Sequence, residues 1–230
     1  MTVEEKSQES VHLERRSNEA LKCVVMANQL KYVFRLTHID NIQHVLSNGL
    51  VRASSPLRSD NYLPIGDSQV IKIRGNREVD GYRLSEYVPF YFGPRSPMLY
   101  VIQHGYNGVR KEKPENIVYC VVRINDLVAN NVDCIFTDGH AISSFTRYYG
   151  KEQLSDLDSI VSYKDVYSTF WNVEDDPDLK RRKEAELLIK GDLPIQYVCG
   201  YVVYNEMAKD RLVSKGVAAG QIAVKPGYYF

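Results

Sequence analysis

The sequence lacks a net charge: 29 lysines and arginines meet 29 aspartates and glutamates over 230 residues. No global field recruits nucleic acid, so any such site must be a local patch. Cysteine is scarce. Cys23, Cys120, Cys134 and Cys199 form no Cys-x-x-Cys pair, which argues against zinc. Three of them sit in apolar, strand-like surroundings, and the set reads as reduced thiols of a cytoplasmic protein. No apolar stretch is long enough to span a bilayer and no apolar signal segment opens the chain, so no membrane role is expected. Internal repeats and low-complexity tracts are missing too. So are the signatures of several chemistries: Gly-x-Gly-x-x-Gly after a strand, Gly-x-x-x-x-Gly-Lys-Ser/Thr, Gly-x-Ser-x-Gly and His-Glu-x-x-His. Asp175-Asp176 has no third ligand at a useful spacing and reads as a solvated acidic turn, so no metal is implied.

What remains is an ordinary globular composition, 44% hydrophobic and 25% charged, long enough to bury a substantial core. A polar tail over 1–20 is expected to be mobile, ahead of a single domain over 21–230. Alternating or continuous apolar runs predict strands at 32–38, 117–124, 134–138, 195–204 and 221–230. Helices are expected at 21–30, at 42–48 between an Asp40 or Asn41 cap and Gly49, around 68–74, at 124–130, over 139–149 behind Asp138, and at 205–215. Short strands and sparse helices out of βαβ alternation point to an α+β fold. Tyrosine outnumbers phenylalanine 17 to 7, which suits stacking sites but equally a β-rich composition.

Both apolar halves of Tyr87–Ile102 read as buried strand, at Phe90–Phe92 and Met98–Ile102. Gly93-Pro-Arg-Ser-Pro97 between them sets Arg95 at a rigid turn, as part of a site or of plain core. Residues 54–85 form a long excursion rich in Gly, Pro, Asp, Asn and Arg, of the kind that carries function. Polar residues interrupt apolar positions at three places. His38 ends a strand, His140 follows Phe136-Thr-Asp138, and Glu186 precedes Leu-Leu-Ile189. Together they are consistent with a cleft.

Five segments carry a family resemblance: Thr37–Ile42, Glu86–Leu99, Phe136–Ala141, Glu184–Ile189 and Gly227–Phe230. In order and spacing they resemble the DarT family, the DNA ADP-ribosyltransferase toxins of DarT–DarG toxin–antitoxin systems. The resemblance implies an ADP-ribosyltransferase fold, a split mixed β-sheet around an NAD cleft. It implies transfer of ADP-ribose from NAD onto a base of single-stranded DNA, in a sequence-dependent way, with nicotinamide released. The alternatives are the same chemistry on RNA or protein, or a non-enzymatic nucleotide-binding module. Glu186 matches the family's catalytic carboxylate, Arg74 its active-site arginine (with Arg77 competing), and His140 its second histidine. His38, with Thr37 and Asn41 beside it, matches the donor-contacting strand. Arg74, Tyr91 and Arg95 are further donor-side candidates, Arg95 equally a structural residue. Residues 150–185 correspond to the acceptor-recognition loop. Tyr149 just before it and Tyr167 and Trp171 within it are candidates to stack on bases, and Arg181 and Arg182 to meet phosphates. Trp171 and Phe170 have an alternative reading as anchors of the loop. A macrodomain antitoxin of the DarG type is the implied partner.

Overall fold

The computed structural model describes residues 28–79 and 81–230. The expected tail, Cys23 and most of the expected helix over 21–30 lie outside the described residues; Asn28–Leu30 are not helical.

The described residues form ten strands: β1 (Tyr32–His38), β2 (Glu78–Val79), β3 (Tyr82–Arg83), β4 (Tyr87–Tyr91), β5 (Ile117–Arg123), β6 (Cys134–Thr137), β7 (Tyr148–Gly150), β8 (Glu186–Lys190), β9 (Val198–Val203) and β10 (Ile222–Val224). β2 and β3 form a small hairpin, and the other eight make one sheet in the order β10-β9-β5-β1-β4-β8-β6-β7. Among these strands only β9 and β10 run parallel. β1 pairs β5 along its whole length, from Tyr32↔Arg123 to His38↔Ile117. It meets β4 at a single register pair, Phe34↔Tyr91. The sheet is therefore split into two ladders that touch at one point. Arg35 spans the gap, its Nη1 donating to the Pro89 carbonyl at 3.1 Å.

Register decides what each face holds. Phe34, Tyr91 and Glu186 are successive cross-strand partners and share one face. Val33, Phe90 and Leu187 point the other way into the main core, with Val118, Val122 and Ile189. The Glu186 face carries a second apolar group around Phe34, Tyr119 and Tyr229, and a third around Tyr87, Ile135 and Leu188.

Among the described residues the α-helices are α1 (Ile42–Asn48), α2 (Ser68–Asn76), α3 (Pro97–His104), α4 (Ile124–Ala129), α5 (Leu157–Ile160), α6 (Tyr163–Val166), α7 (Leu179–Lys183) and α8 (Glu206–Ser214). α1 ends at Gly49, φ +76°, where an added Cβ would lie 2.2 Å from the Leu193 carbonyl oxygen. α2 starts at Asp67, whose carboxylate accepts the Gln69 N–H at 2.8 Å.

Three expectations are corrected. Met98–Ile102 is helix, not strand. Ser96 caps it by accepting the Leu99 N–H at 3.2 Å, Pro97 occupies its first turn, and Gly105 closes it in the left-handed region. Residues 139–149 are turns running into β7, because β7 pairs back onto β6. Asp138 accordingly accepts the Arg147 N–H at 2.9 Å instead of capping a helix. Of 221–230 only Ile222–Val224 is strand, and a 3-10 turn follows at Pro226–Tyr228.

Candidate active site

The β6·β8 ladder stops at Phe136↔Leu187. One residue further, a side chain takes over from the backbone. The Thr137 hydroxyl accepts the Glu186 N–H at 3.0 Å and donates to the Gly139 carbonyl at 2.7 Å. This knot ties the first residue of β8 to the turn carrying His140. The Glu186 side chain enters a cleft while only 1% exposed. Arg74 Nη1 donates to both of its oxygens, at 3.0 and 2.8 Å, and the Ala141 N–H donates to Oε1 at 2.9 Å. A buried carboxylate needs such partners. Arg74 Nη2 is buried with no partner among the described residues. Of the two arginines in contention, it is therefore Arg74 that reaches Glu186.

His140, Tyr91, Arg35, Arg52 and Tyr62 line the same cleft. The backbone of His140 is fixed on both sides: its N–H donates to the Arg181 carbonyl at 3.1 Å, and its carbonyl accepts from Thr146 Oγ1 at 2.9 Å. Burial lowers its pKa; Glu186 opposes this, while Arg74 and Lys180 add to it. The ring is neutral at pH 7. Burial, then Glu186 and Glu184, push the Tyr91 hydroxyl well above its ordinary value, so it stays a donor. Burial also raises Glu184 to about 7, against the pull of Lys180. Among the described residues no cluster of three or more His, Cys, Asp or Glu suits a metal.

Thr37, His38 and Asn41 lie at the end of β1, outside the cleft lining. Asn41 holds Leu63 by two bonds of 2.9 Å, and its Nδ2 donates to Thr37 Oγ1 at 3.1 Å. Asn41 and Thr37 thereby tie the 54–85 excursion, which carries Arg74, to the sheet. His38 Nδ1 accepts the Asp40 N–H at 3.1 Å, and Nε2 lies 3.7 Å from buried Glu112. Arg95 is also outside the cleft lining. At φ +53° it turns its guanidinium onto the last residues, donating to the Tyr229 carbonyl at 2.8 Å and lying 4.2 Å over the Phe230 ring.

In the 150–185 segment the arginines are engaged by carboxylates. Arg181 pairs with Asp178 at 2.7 Å and Asp138 at 2.9 Å; Arg182 pairs with Asp165 at 2.7 Å and Asp176 at 2.6 Å. The acidic run is thus a set of counter-ions, not a purely solvated turn. Tyr149 stacks on core Phe136 at 5.2 Å, Tyr167 on Tyr163 at 4.4 Å, and Trp171 packs edge-on against Tyr100 and Phe230. Lys180 is the exposed member of the basic run. Sequence reasoning missed Thr137, Arg35 and Arg52. Thr137 stood inside the Phe136-Thr-Asp motif; the two arginines carried no signal of their own.

Residues 34–230 match the family model described as "ssDNA thymidine ADP-ribosyltransferase, DarT". A DNA ADP-ribosyl transferase of Escherichia coli O127:H6 is 35% identical over 187 residues, 80% of this chain and 85% of the relative. A DNA ADP-ribosyl transferase–DNA ADP-ribosyl glycohydrolase fusion protein of Thermosipho africanus is 29% identical, over 87% of this chain and 49% of its own length. The solved structure of Thermus sp. 2.9 DarT with ADP-ribosylated ssDNA superposes with a TM-score of 0.75 at 24% identity, over 88% of this chain and 98% of that one. The same Thermus protein matches in complex with NAD+, with a TM-score of 0.69 at 24% identity, over 88% of this chain and 99% of that one. A family match over nearly the whole described chain, on the ADP-ribosyltransferase fold, means that this protein belongs to the DarT family of single-stranded-DNA thymidine ADP-ribosyltransferases.

Proposed function

We propose that the protein transfers ADP-ribose from NAD⁺ to a thymidine base of single-stranded DNA and acts as the toxin of a toxin–antitoxin pair. The observation that carries this reading is the buried Glu186–Arg74 pair on the cleft floor, closed at 2.8 Å. As the bond from ribose C1′ to nicotinamide breaks, its electrons leave with nicotinamide and positive charge grows on the sugar. Glu186 stabilises that charge and holds the ribose hydroxyl. A ring nitrogen of the acceptor base then bonds to the same carbon and loses its proton. His140, kept neutral by burial, carries in that form one ring nitrogen with an acceptor lone pair, the group that takes that proton. Arg74 orients Glu186 through Nη1 and offers its unpartnered Nη2 to a substrate oxygen. Tyr91 is a further donor. Thr37 and Asn41 serve the donor side by holding the excursion as its wall, and His38 by fixing the turn after β1 through its bond with the Asp40 N–H. Arg95, Arg181, Arg182 and Tyr149 serve as scaffold.

The Thermus protein's complexes with NAD+ and with ADP-ribosylated ssDNA support the donor and the acceptor class. The Thermosipho relative joins its transferase to a DNA ADP-ribosyl glycohydrolase, which supports a partner of that activity here, a macrodomain antitoxin of the DarG type. The test is label transfer from NAD⁺ to oligonucleotides differing at one base, with RNA and protein controls and with nicotinamide measured. Wild type should label single-stranded DNA at thymidine, and Glu186→Gln should fall about a hundredfold or more. Label on protein or RNA alone would overturn the acceptor; wild-type rates in Glu186→Gln would overturn the site.

A further inference from the structure

α3 has two different faces. Met98 and Ile102 line the cleft. Tyr100 and His104 lie two residues on, about 200° round the helix axis. There they meet other rings. His104 is 4.1 Å from Tyr100 and stacks on Tyr106 at 5.5 Å; Tyr100 is 5.6 Å from Trp171 and 5.1 Å from Phe230. Tyr106 is 50% exposed and His104 is exposed. Rings left this open at the end of α3 and on the turn after it are not explained by the core they cover.

Two cations lie under these rings. Arg95 sits 4.2 Å over Phe230, and Lys183 Nζ is 6.0 Å from the Trp171 ring. Neither has a carboxylate in ion-pairing range among the described residues. Lys183, 1% exposed, donates only to the Val166 and Pro94 carbonyls, at 3.0 and 3.4 Å, with Glu184 the acid that acts on it at longer range. Arg95 Nε is buried and unpartnered. The face is thus aromatic with positive charge beneath it. It is continuous with the acceptor segment through Trp171, which that segment contributes. Flat rings backed by positive charge suit unpaired bases joined by phosphates.

We propose that this face is a second contact for the DNA strand, taking nucleotides that flank the modified base. The proposal rests on the DNA-acceptor reading above. A helix is about 10–12 Å across with its side chains, and stacked nucleotides advance about 3.4 Å each. The contact therefore falls roughly three or four nucleotides from the reacting base.

The test compares oligonucleotides with one target base and short (about two-nucleotide) or long (about eight-nucleotide) flanks, lengths set by that spacing. The double variant Tyr106→Ala, His104→Ala removes two exposed rings. Its KM for the long oligonucleotide should rise about tenfold, with KM for the short one and for NAD⁺ unchanged. Tyr106→Trp with His104 intact should match or improve on wild type with the long substrate. Equal effects on both lengths, or none on either, would overturn the proposal. So would a variant that loses only its binding to a DNA ADP-ribosyl glycohydrolase, which would give the face to protein. If wild type labels neither DNA, the acceptor reading itself has failed.

Discussion

Thr137 is where backbone geometry and chemistry meet, and Thr137→Val isolates its hydroxyl. Valine keeps the shape and the β-branch, so the strand end has no new void to fill. What disappears is the atom that accepts the Glu186 N–H at 3.0 Å and donates to the Gly139 carbonyl at 2.7 Å. Thr137 is fully buried, so water does not replace it. Each backbone group left unpaired costs at least about 1 kcal/mol, and the pair at least about 2 kcal/mol. For a chain of this size that lowers Tm by roughly 4–8 °C. Activity should suffer more than stability. The released strand end carries the Glu186 carboxylate, and a shift of about 1 Å costs on the order of a hundredfold in rate. The loss should fall on kcat for nicotinamide release more than on KM. Thr137→Ser is the control. It keeps the hydroxyl, gives up about 1 kcal/mol of buried methyl, and should retain most of the rate. If Thr137→Val equalled Thr137→Ser in both Tm and kcat, the knot would not be what holds Glu186.

Gly93→Ala would put a Cβ 2.1 Å from the Val166 carbonyl oxygen, the atom that also takes the Lys183 bond. We expect a loss of about 3 kcal/mol or more in denaturant unfolding, whereas Gly75→Ala, with nothing within 4 Å, should be neutral or slightly stabilising. The third prediction concerns pH. Burial lowers the His140 pKa, so its neutral, proton-accepting form persists below the ordinary value of 6.5 and is lost only as pH falls further. The acid limb of kcat/KM should have its midpoint below 6.5, and a midpoint above it would remove His140 as the base.

The parts of the fold that alternate cleanly were legible. β1, β5 and β6, and α1 closed by Gly49, fall where periodicity and turn residues put them. α3 was not, because an apolar run of five fits a buried strand or a helix equally. Ser96 and Pro97 were present to arbitrate, as a cap followed by a first-turn proline. The segment after His140 failed for another reason: its conformation is dictated by pairing of β7 with β6, a non-local contact that no window of sequence contains. The candidate site divides the same way. Glu186 and His140 were visible as polar residues in apolar company. The diversion of Arg181 and Arg182 onto Asp138, Asp165 and Asp176 was not, since it depends on how the 150–185 segment folds back on itself.

The single contact between β1 and β4 has a consequence for synthesis. One ladder holds β1, β5, β9 and β10, the other β4, β6, β7 and β8. The chain passes between them four times, after β1, β4, β5 and β8. No single cut separates them, and neither ladder can be completed from one contiguous stretch. The cleft needs Arg74 from the first excursion, His140 from between β6 and β7, and Glu186 from β8. A growing chain therefore carries the other residues that line the cleft before it carries Glu186. Glu186 arrives with the strand that also finishes the second ladder, so on the function proposed above a chain stopped before β8 should cleave no donor.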